Sequence, residues 1–253
     1  MLACIKGIDK MFDRQANILL NSRTGSEQIS KELRDVLNTI STVRKIKKNT
    51  YLFHEGREAN EIYMIKSGLI EISKLAANGK EMILRICKHH DLVGELTLFT
   101  ERPKYMLSAR VMKDGEVFVI KKEILEKTLL SNQKLAFEFL KWTNNHMRKF
   151  QSKIRDLLLN GKKGALYSTL IRLSNSYGIQ KEDGILISLS LTNQELANFC
   201  ASTRETVNRL LVELRKQGTI SIDKQGRILI KDMDYLRDEI GCEDCPIEVC
   251  NIN

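Results

Sequence analysis

Residues 191–220 read LTNQELANFCASTRETVNRLLVELRKQGTI. Thr192 with Glu195, and Ser202 with Glu205, have the S/T-x-x-E form in which a hydroxyl caps a helix N-terminus and a carboxylate answers from the third position. Two capped helices separated by three or four residues make a helix-turn-helix. In the second helix Val207, Leu210, Leu211 and Leu214 recur at helical spacing and form the face expected to be buried. Ser202, Thr203, Arg204, Glu205, Asn208 and Arg209 remain near its N-terminal end, the part that enters a major groove. Arginine binds guanine O6 and N7 bidentately and glutamate accepts from cytosine N4, so this set can read base edges. The next stretch, ISIDKQGRILI (220–230), reads as a hairpin turning at Gln225-Gly226, a wing carrying Lys224 and Arg227 toward phosphate. An ordinary helical hairpin with solvated charges has no need for the caps, apolar face, basic tip and wing to coincide. Double-stranded DNA is the expected partner.

Upstream, NGKKG (160–164) interrupts the helical pattern and is the best hinge. Residues from about 122 to 159 contain no proline or glycine, and Leu135, Phe139, Trp142, His146, Phe150, Ile154 and Leu157 recur every three or four positions. A stripe this narrow is expected as a two-helix seam joining a homodimer; the plainer reading is a helix packed on its own domain. Asp156 is read as lying roughly 130° off the stripe, at about 100° per residue, facing something other than the partner helix. Between about 43 and 120 the texture changes. Short apolar runs such as EIYMIKSGLIEI, EMILRICK and EVFVIKK alternate with turn signals at Gly56, Gly68, Gly79, Gly94 and Gly115, which predicts an antiparallel roll or barrel. The expected architecture is α+β: an N-terminal extension (1–24), a sensory antiparallel β-roll of jelly-roll type (25–121), a dimerisation helix region (122–159), a winged helix-turn-helix (160–231) and a cysteine tail (232–253).

A chain of 253 residues accommodates two ordinary domains, and 42% hydrophobic with 29% charged residues reads as globular. No run of eighteen apolar residues is present, and MLACIKGIDKMFDRQ has no apolar h-region ahead of Cys4, so a cytoplasmic location is expected, with no membrane partner. There thiols stay reduced, and clustered cysteines bind metal or sense redox state more often than they form structural disulfides. The net charge of +9 is compatible with an anionic partner.

Three of the six cysteines fall at C-x2-C-x4-C in GCEDCPIEVCNIN (241–253). Three thiolates hold a zinc ion or most of an iron–sulfur cluster, and either needs a fourth ligand from elsewhere in the chain. Zinc with Asp156 or His146 as the fourth ligand and a reversible tail disulfide are the other readings. His54, His89, His90 and His146 offer no haem motif, and Cys4, Cys87 and Cys200 read as small hydrophobes or free thiols. There is no nucleophile elbow, P-loop or His-Glu-x-x-His, so no enzyme is expected.

Roll, long helix and Ser-Thr-Arg-Glu-Thr-Val-Asn-Arg with a wing resemble the Crp/Fnr family of dimeric bacterial transcription regulators, over about residues 40–231. DLVGELTLF (91–99) is similar to the family's Gly-Glu turn at the effector pocket. Its cyclic-nucleotide binders carry an Arg-Ser pair about ten residues later, whereas this chain has Lys104-Tyr105-Met106-Leu107-Ser108-Ala109. Without that guanidinium a buried phosphate loses its bidentate contact, Arg102 and Arg110 being the possible substitutes; no cyclic nucleotide is expected, and Gly94 and Glu95 read as a structural turn. The tail resembles the Bacillus type of Fnr. That resemblance implies one [4Fe-4S] cluster per subunit on Cys242, Cys245, Cys250 and Asp156, lost to oxygen with release of Asp156 and the tail. It also implies RNA polymerase as a partner. The set Arg204-Glu205-x-x-Asn208-Arg209 resembles the reading helix of the cAMP receptor protein, which implies a TGTGA-like palindrome rather than the TTGAT half-site of oxygen-sensing Fnr relatives.

Overall fold

The computed structural model describes residues 29–253; the 1–24 extension and Cys4 lie outside them. Helix α1 (Lys31–Thr39) precedes a sheet whose alternating apolar pattern was visible in sequence. Its strands are β1 (Ser41–Ile46), β2 (Tyr51–Phe53), β3 (Glu61–Leu75), β4 (Glu81–Cys87), β5 (Leu92–Val93) and β6 (Ser108–Lys121). The order is β1-β6-β3-β4, with β2 on β6 and β5 on β3, every pairing antiparallel. Strands β3 and β6 pair along nearly their whole length, with register shifts between Ile65 and Ile70 that bend the sheet. A Cβ on Gly115 there would sit 2.1 Å from the Ser67 carbonyl oxygen, so only glycine fits.

The period of two sends Tyr63, Ile65 and Val119 into the roll with Phe53, Ile72 and Val111, and Ile62, Met64 and Ile120 to its outer face. That outer face is covered by α1, α2 (Lys122–Ser131) and α3 (Gln133–Leu159) through Leu33, Leu37, Leu125, Leu129, Leu135 and Trp142. The predicted single helix is broken at Asn132, whose side chain accepts from the Leu135 amide and caps α3.

Helix α3 has two faces, and the predicted seam is the wrong one for three of its seven residues. Leu135, Trp142 and His146 are buried within their own chain, on a side continued by Lys149, Lys153 and Asp156. Asp156 therefore shares the Trp142 side instead of pointing away from it. Phe139, Phe150 and Leu157 flank this side, half-buried. The opposite face carries Phe137, Leu140, Asn144, Met147, Gln151, Ile154 and Leu158, spaced alternately three and four apart and all exposed. Of the predicted seam only Ile154 lies there. Both faces carry apolar residues at helical spacing, and periodicity cannot say which one the roll takes.

After Asn160 the chain turns at Gly161, φ +59°, into α4 (Gly161–Tyr177). Strands β7 (Gly178–Lys181) and β8 (Gly184–Ile187), helices α5 (Asn193–Phe199) and α6 (Arg204–Lys216), strands β9 (Ile220–Ile222) and β10 (Ile228–Ile230), and α7 (Met233–Asp238) follow. The sheet order is β7-β8-β10-β9. Leu166, Leu170, Phe199, Val207, Leu211, Leu214, Ile220 and Leu236 form this domain's core, which extends to Ile83 and Ile86 of β4 and to Ile252 of the tail.

Candidate DNA interface and metal centre

Helix α5 opens with the complete predicted capping box, Thr192 bonded to the Glu195 amide and Glu195 to the Thr192 amide. The second cap differs from expectation. Thr203, one residue after Ser202, accepts from the Thr206 amide, and α6 starts at Arg204. Val207, Leu210, Leu211 and Leu214 are buried as predicted, which leaves Arg204, Glu205, Asn208 and Arg209 exposed at the entering end. Asn208 Oδ1 accepts from Asn193 Nδ2 at 3.0 Å, so its amide is oriented from α5. Thr203 is exposed and Ser202 half-buried. In the wing, Lys224 is exposed, but Arg227 is held by Asp223: Nε donates to Oδ2 at 2.8 Å, and Asp223 Oδ1 accepts from the Gln225 and Arg227 amides. The Arg227 guanidinium is thus paired within its own turn, whereas Lys224 is exposed.

The tail folds back on α3 and α4. Cys242, Cys245, Cys250, Asp156, Arg155 and Arg172 line one cavity of about 220 Å³ at the α3–α4 junction. Asp156 is fully engaged: its Oδ2 accepts from Arg172 Nη2 at 2.7 Å and Ser168 Oγ at 2.6 Å, and its Oδ1 from Arg155 at 3.1 and 3.2 Å. Burial alone would raise the carboxyl pKa, but these bonds and the Arg172 charge hold it below the ordinary carboxylate value. Arg155 also reaches Cys245 Sγ at 3.8 Å and pairs with Glu243. Arg172 donates to the Val249 carbonyl at 3.0 Å, so one guanidinium spans α3, α4 and the tail. Arg155, Ser168 and Arg172 were not anticipated; a basic residue four positions after a serine carries no signature until the partner helix is placed.

Soft thiols and one hard carboxylate facing a common cavity suit an iron–sulfur cluster with one distinct corner. The four side chains share the cavity without being drawn to ligating distance: among the described residues no three His, Cys, Asp or Glu groups could hold a metal ion as they stand. Both Asp156 oxygens already accept hydrogen bonds, from Arg155, Ser168 and Arg172. His146 does not line this cavity; its Nδ1 faces Arg85 at 3.2 Å, and burial beside Arg85 and Lys149 lowers its pKa to about 2.

A cyclic nucleotide-binding domain model matches residues 43–132 and a Crp-like helix-turn-helix domain model residues 164–239. The chain is 62% identical over 237 residues to the anaerobic regulatory protein of Bacillus subtilis (strain 168), covering 94% of this chain and all of that one. This chain belongs to the Crp/Fnr family. Crp/Fnr members are transcription regulators, not enzymes, and the helix-turn-helix makes this one a DNA-binding regulator of a type that works as a dimer. The lactate racemization regulatory protein of Lactiplantibacillus plantarum is 30% identical over 80% of the chain and 92% of its own length. Two solved structures share the fold. FixK2 from Bradyrhizobium japonicum has TM-score 0.68 and 19% identity over 79% of this chain and 96% of its own. A CooA mutant from Carboxydothermus hydrogenoformans has TM-score 0.70 and 20% identity over 84% and 95%.

The effector pocket of this Crp/Fnr roll is nearly filled. Phe53 and Tyr105 stack with centroids 3.7 Å apart, and the residual cavity is about 40 Å³, room for a few water molecules. Gly94 (φ +89°) starts a short turn over Glu95–Thr97, and Glu95 is buried against Arg85 at 2.9 and 3.1 Å. Arg110, a possible phosphate ligand by sequence, instead clamps Glu71 at 2.9 and 3.0 Å; Arg102 is exposed. Among the described residues no helix is long and apolar enough to cross a membrane.

Proposed function

We propose that this regulator senses oxygen through one [4Fe-4S] cluster per subunit, held by Cys242, Cys245, Cys250 and Asp156, and controls anaerobic gene expression. The observation that carries this reading is the convergence of those four donors on one cavity between α3, α4 and the tail. The name of the B. subtilis relative, an anaerobic regulatory protein, supports it. When bound, the cluster supplies an oxygen-labile centre. The chain's own residues would do the rest: Asp156 ties the site to the dimer helix, and Arg172 ties the same point to the first helix of the DNA-binding domain. The exposed heptad of α3 would join two copies, setting two α6 helices on an inverted TGTGA-like repeat, with RNA polymerase as the further partner. A filled pocket and an Arg110 occupied by Glu71 argue against a cyclic nucleotide.

Purification under nitrogen tests the proposal. Brown protein with equimolar iron and acid-labile sulfide is expected; colourless protein carrying zinc and no sulfide would replace the cluster with a zinc site. Added cyclic AMP should not raise the melting temperature, because a ligand that binds only the native state would.

A further inference from the structure

We propose that residues 249–253 are an intramolecular ligand: they occupy a cleft between β4, α3 and α4 and latch the DNA-binding domain onto the roll. The segment belongs to no helix or strand, yet Val249, Asn251, Ile252 and Asn253 are each at most 7% exposed. Irregular backbone is buried only where its polar groups find partners, and here three bonds go to α4 of the DNA-binding domain and one to β4 of the roll. The Val249 carbonyl accepts from Arg172 Nη1 at 3.0 Å and the Cys250 carbonyl from Asn175 Nδ2 at 2.6 Å, both on α4. The Ile252 amide donates to Ser176 Oγ at 2.9 Å, also on α4, while its carbonyl accepts from the Ile86 amide of β4 at 3.3 Å. The Ile252 side chain enters the apolar cluster that contains Ile83, Ile86 and the helix-turn-helix core.

Strand β4 is the last in its sheet order, so its outer edge has no strand neighbour and would expose unpaired backbone. Other elements consume that edge. Lys153 of α3 donates to the Ile83 and Leu84 carbonyls at 3.1 and 2.8 Å, Tyr177 of α4 donates to the Ile86 carbonyl at 3.1 Å, and the tail takes the Ile86 amide. The Asn198 amide of α5 reaches Glu81 at the start of β4 at 3.0 Å. Beyond it, the β3–β4 turn faces Arg204 and Glu205 across a cleft, so whatever seats β4 on α4 also sets the reading end beside the roll. Residue 250 is two positions from Ile252; on the cluster reading above, a change at Cys250 would therefore reach the latch directly. Docking of the latch itself does not depend on that reading.

Hydrogen exchange followed by mass spectrometry tests the docking. A chain stopped after Cys250 keeps all three tail cysteines but lacks the Ile252 contacts. We expect at least tenfold faster exchange over 81–87 and 174–177, and earlier tryptic cleavage after Lys162 or Lys163. Ser176→Ala, which removes one acceptor from an otherwise untouched core, should shift the same peptides in the same direction by less. Unchanged exchange over 81–87 in both variants would overturn the latch. Iron uptake under nitrogen is measured alongside: its failure in the full-length chain counts against the cluster reading alone, because the exchange result stands without it.

Discussion

Arg172 Nη2 lies 2.7 Å from Asp156 Oδ2, and both side chains are at most 8% exposed. A buried pair adds little over an apolar isostere, but deleting one member strands the other charge at a cost of about 3–5 kcal/mol. Asp156→Ala should therefore destabilise the metal-free protein by about that much in urea unfolding. The residue proposed to bind iron also carries fold stability, so iron loss in this variant is interpretable only beside its unfolding curve.

The two faces of α3 separate under mutation. Leu140→Glu or Met147→Glu on the exposed heptad should give monomers in light scattering with the melting of the isolated subunit preserved. Trp142→Ala on the buried face should cost about 3–5 kcal/mol without changing the subunit interaction. Dissociation by Trp142→Ala alone would restore the stripe read from sequence.

The helix-turn-helix was legible because its signals are local: caps, apolar spacing and turn residues sit within thirty positions, and the observed α6 shifts the second cap by one residue only, to Thr203. The roll was legible from alternation bounded by glycines. What sequence could not reach depends on tertiary placement. Trp142 and Leu140 both recur at helical spacing, and only the docked roll distinguishes them. Asp156 could be picked out by resemblance, but its arginine partners lie one and sixteen residues away on two helices. Arg227 was assigned to phosphate because a basic wing tip is exposed by default; its ion pair with Asp223, four residues earlier, had no signal in the sequence.

The described cysteines fall into two environments. Burial raises the thiol pKa of Cys87 to about 12 and of Cys200 to about 11, which keeps both as thiols. Iodoacetamide should leave them unmodified in the native protein, and Cys87→Ala or Cys200→Ala should keep full iron content. Cys242→Ser, Cys245→Ser and Cys250→Ser should each abolish stable iron and sulfide binding after anaerobic reconstitution. Full retention in all three would place the cofactor elsewhere.

Lys153 gives the fold a pH dependence. Burial, with Arg172 nearby, lowers its pKa from 10.5 to about 7, although its bonds to two β4 carbonyls and the Phe199 ring 4.9 Å away favour the ammonium. Between those values the unfolded chain binds more protons than the folded one, so stability rises with pH. The penalty is full below pH 7 and gone above the unfolded value. For one proton the slope reaches about 1.4 kcal/mol per pH unit. Lys153→Met should flatten the urea midpoint between pH 7 and 9; an equal slope in both proteins would assign it to other groups.

Arg204 and Glu205 lie exposed at the first turn of α6, where the proposed reading puts DNA specificity. Arginines at 204 and 209 suit two guanines flanking a cytosine-side contact of Glu205, which predicts a TGTGA-like half-site. Two-fold symmetry then requires an inverted repeat with half-site centres about 10 base pairs apart. Arg204→Ala should cost about 1–3 kcal/mol on that site and relax discrimination at its guanine. Lys224→Ala should weaken binding to every sequence alike and reduce the salt dependence, since phosphate contacts carry no base information. Arg227→Ala should do less than Lys224→Ala, because Asp223 already holds that guanidinium at 2.7 Å. Binding-site selection under nitrogen decides between readings: TTGAT repeats, with Arg204→Ala neutral, would confine Arg204 to the DNA backbone and remove it from base recognition.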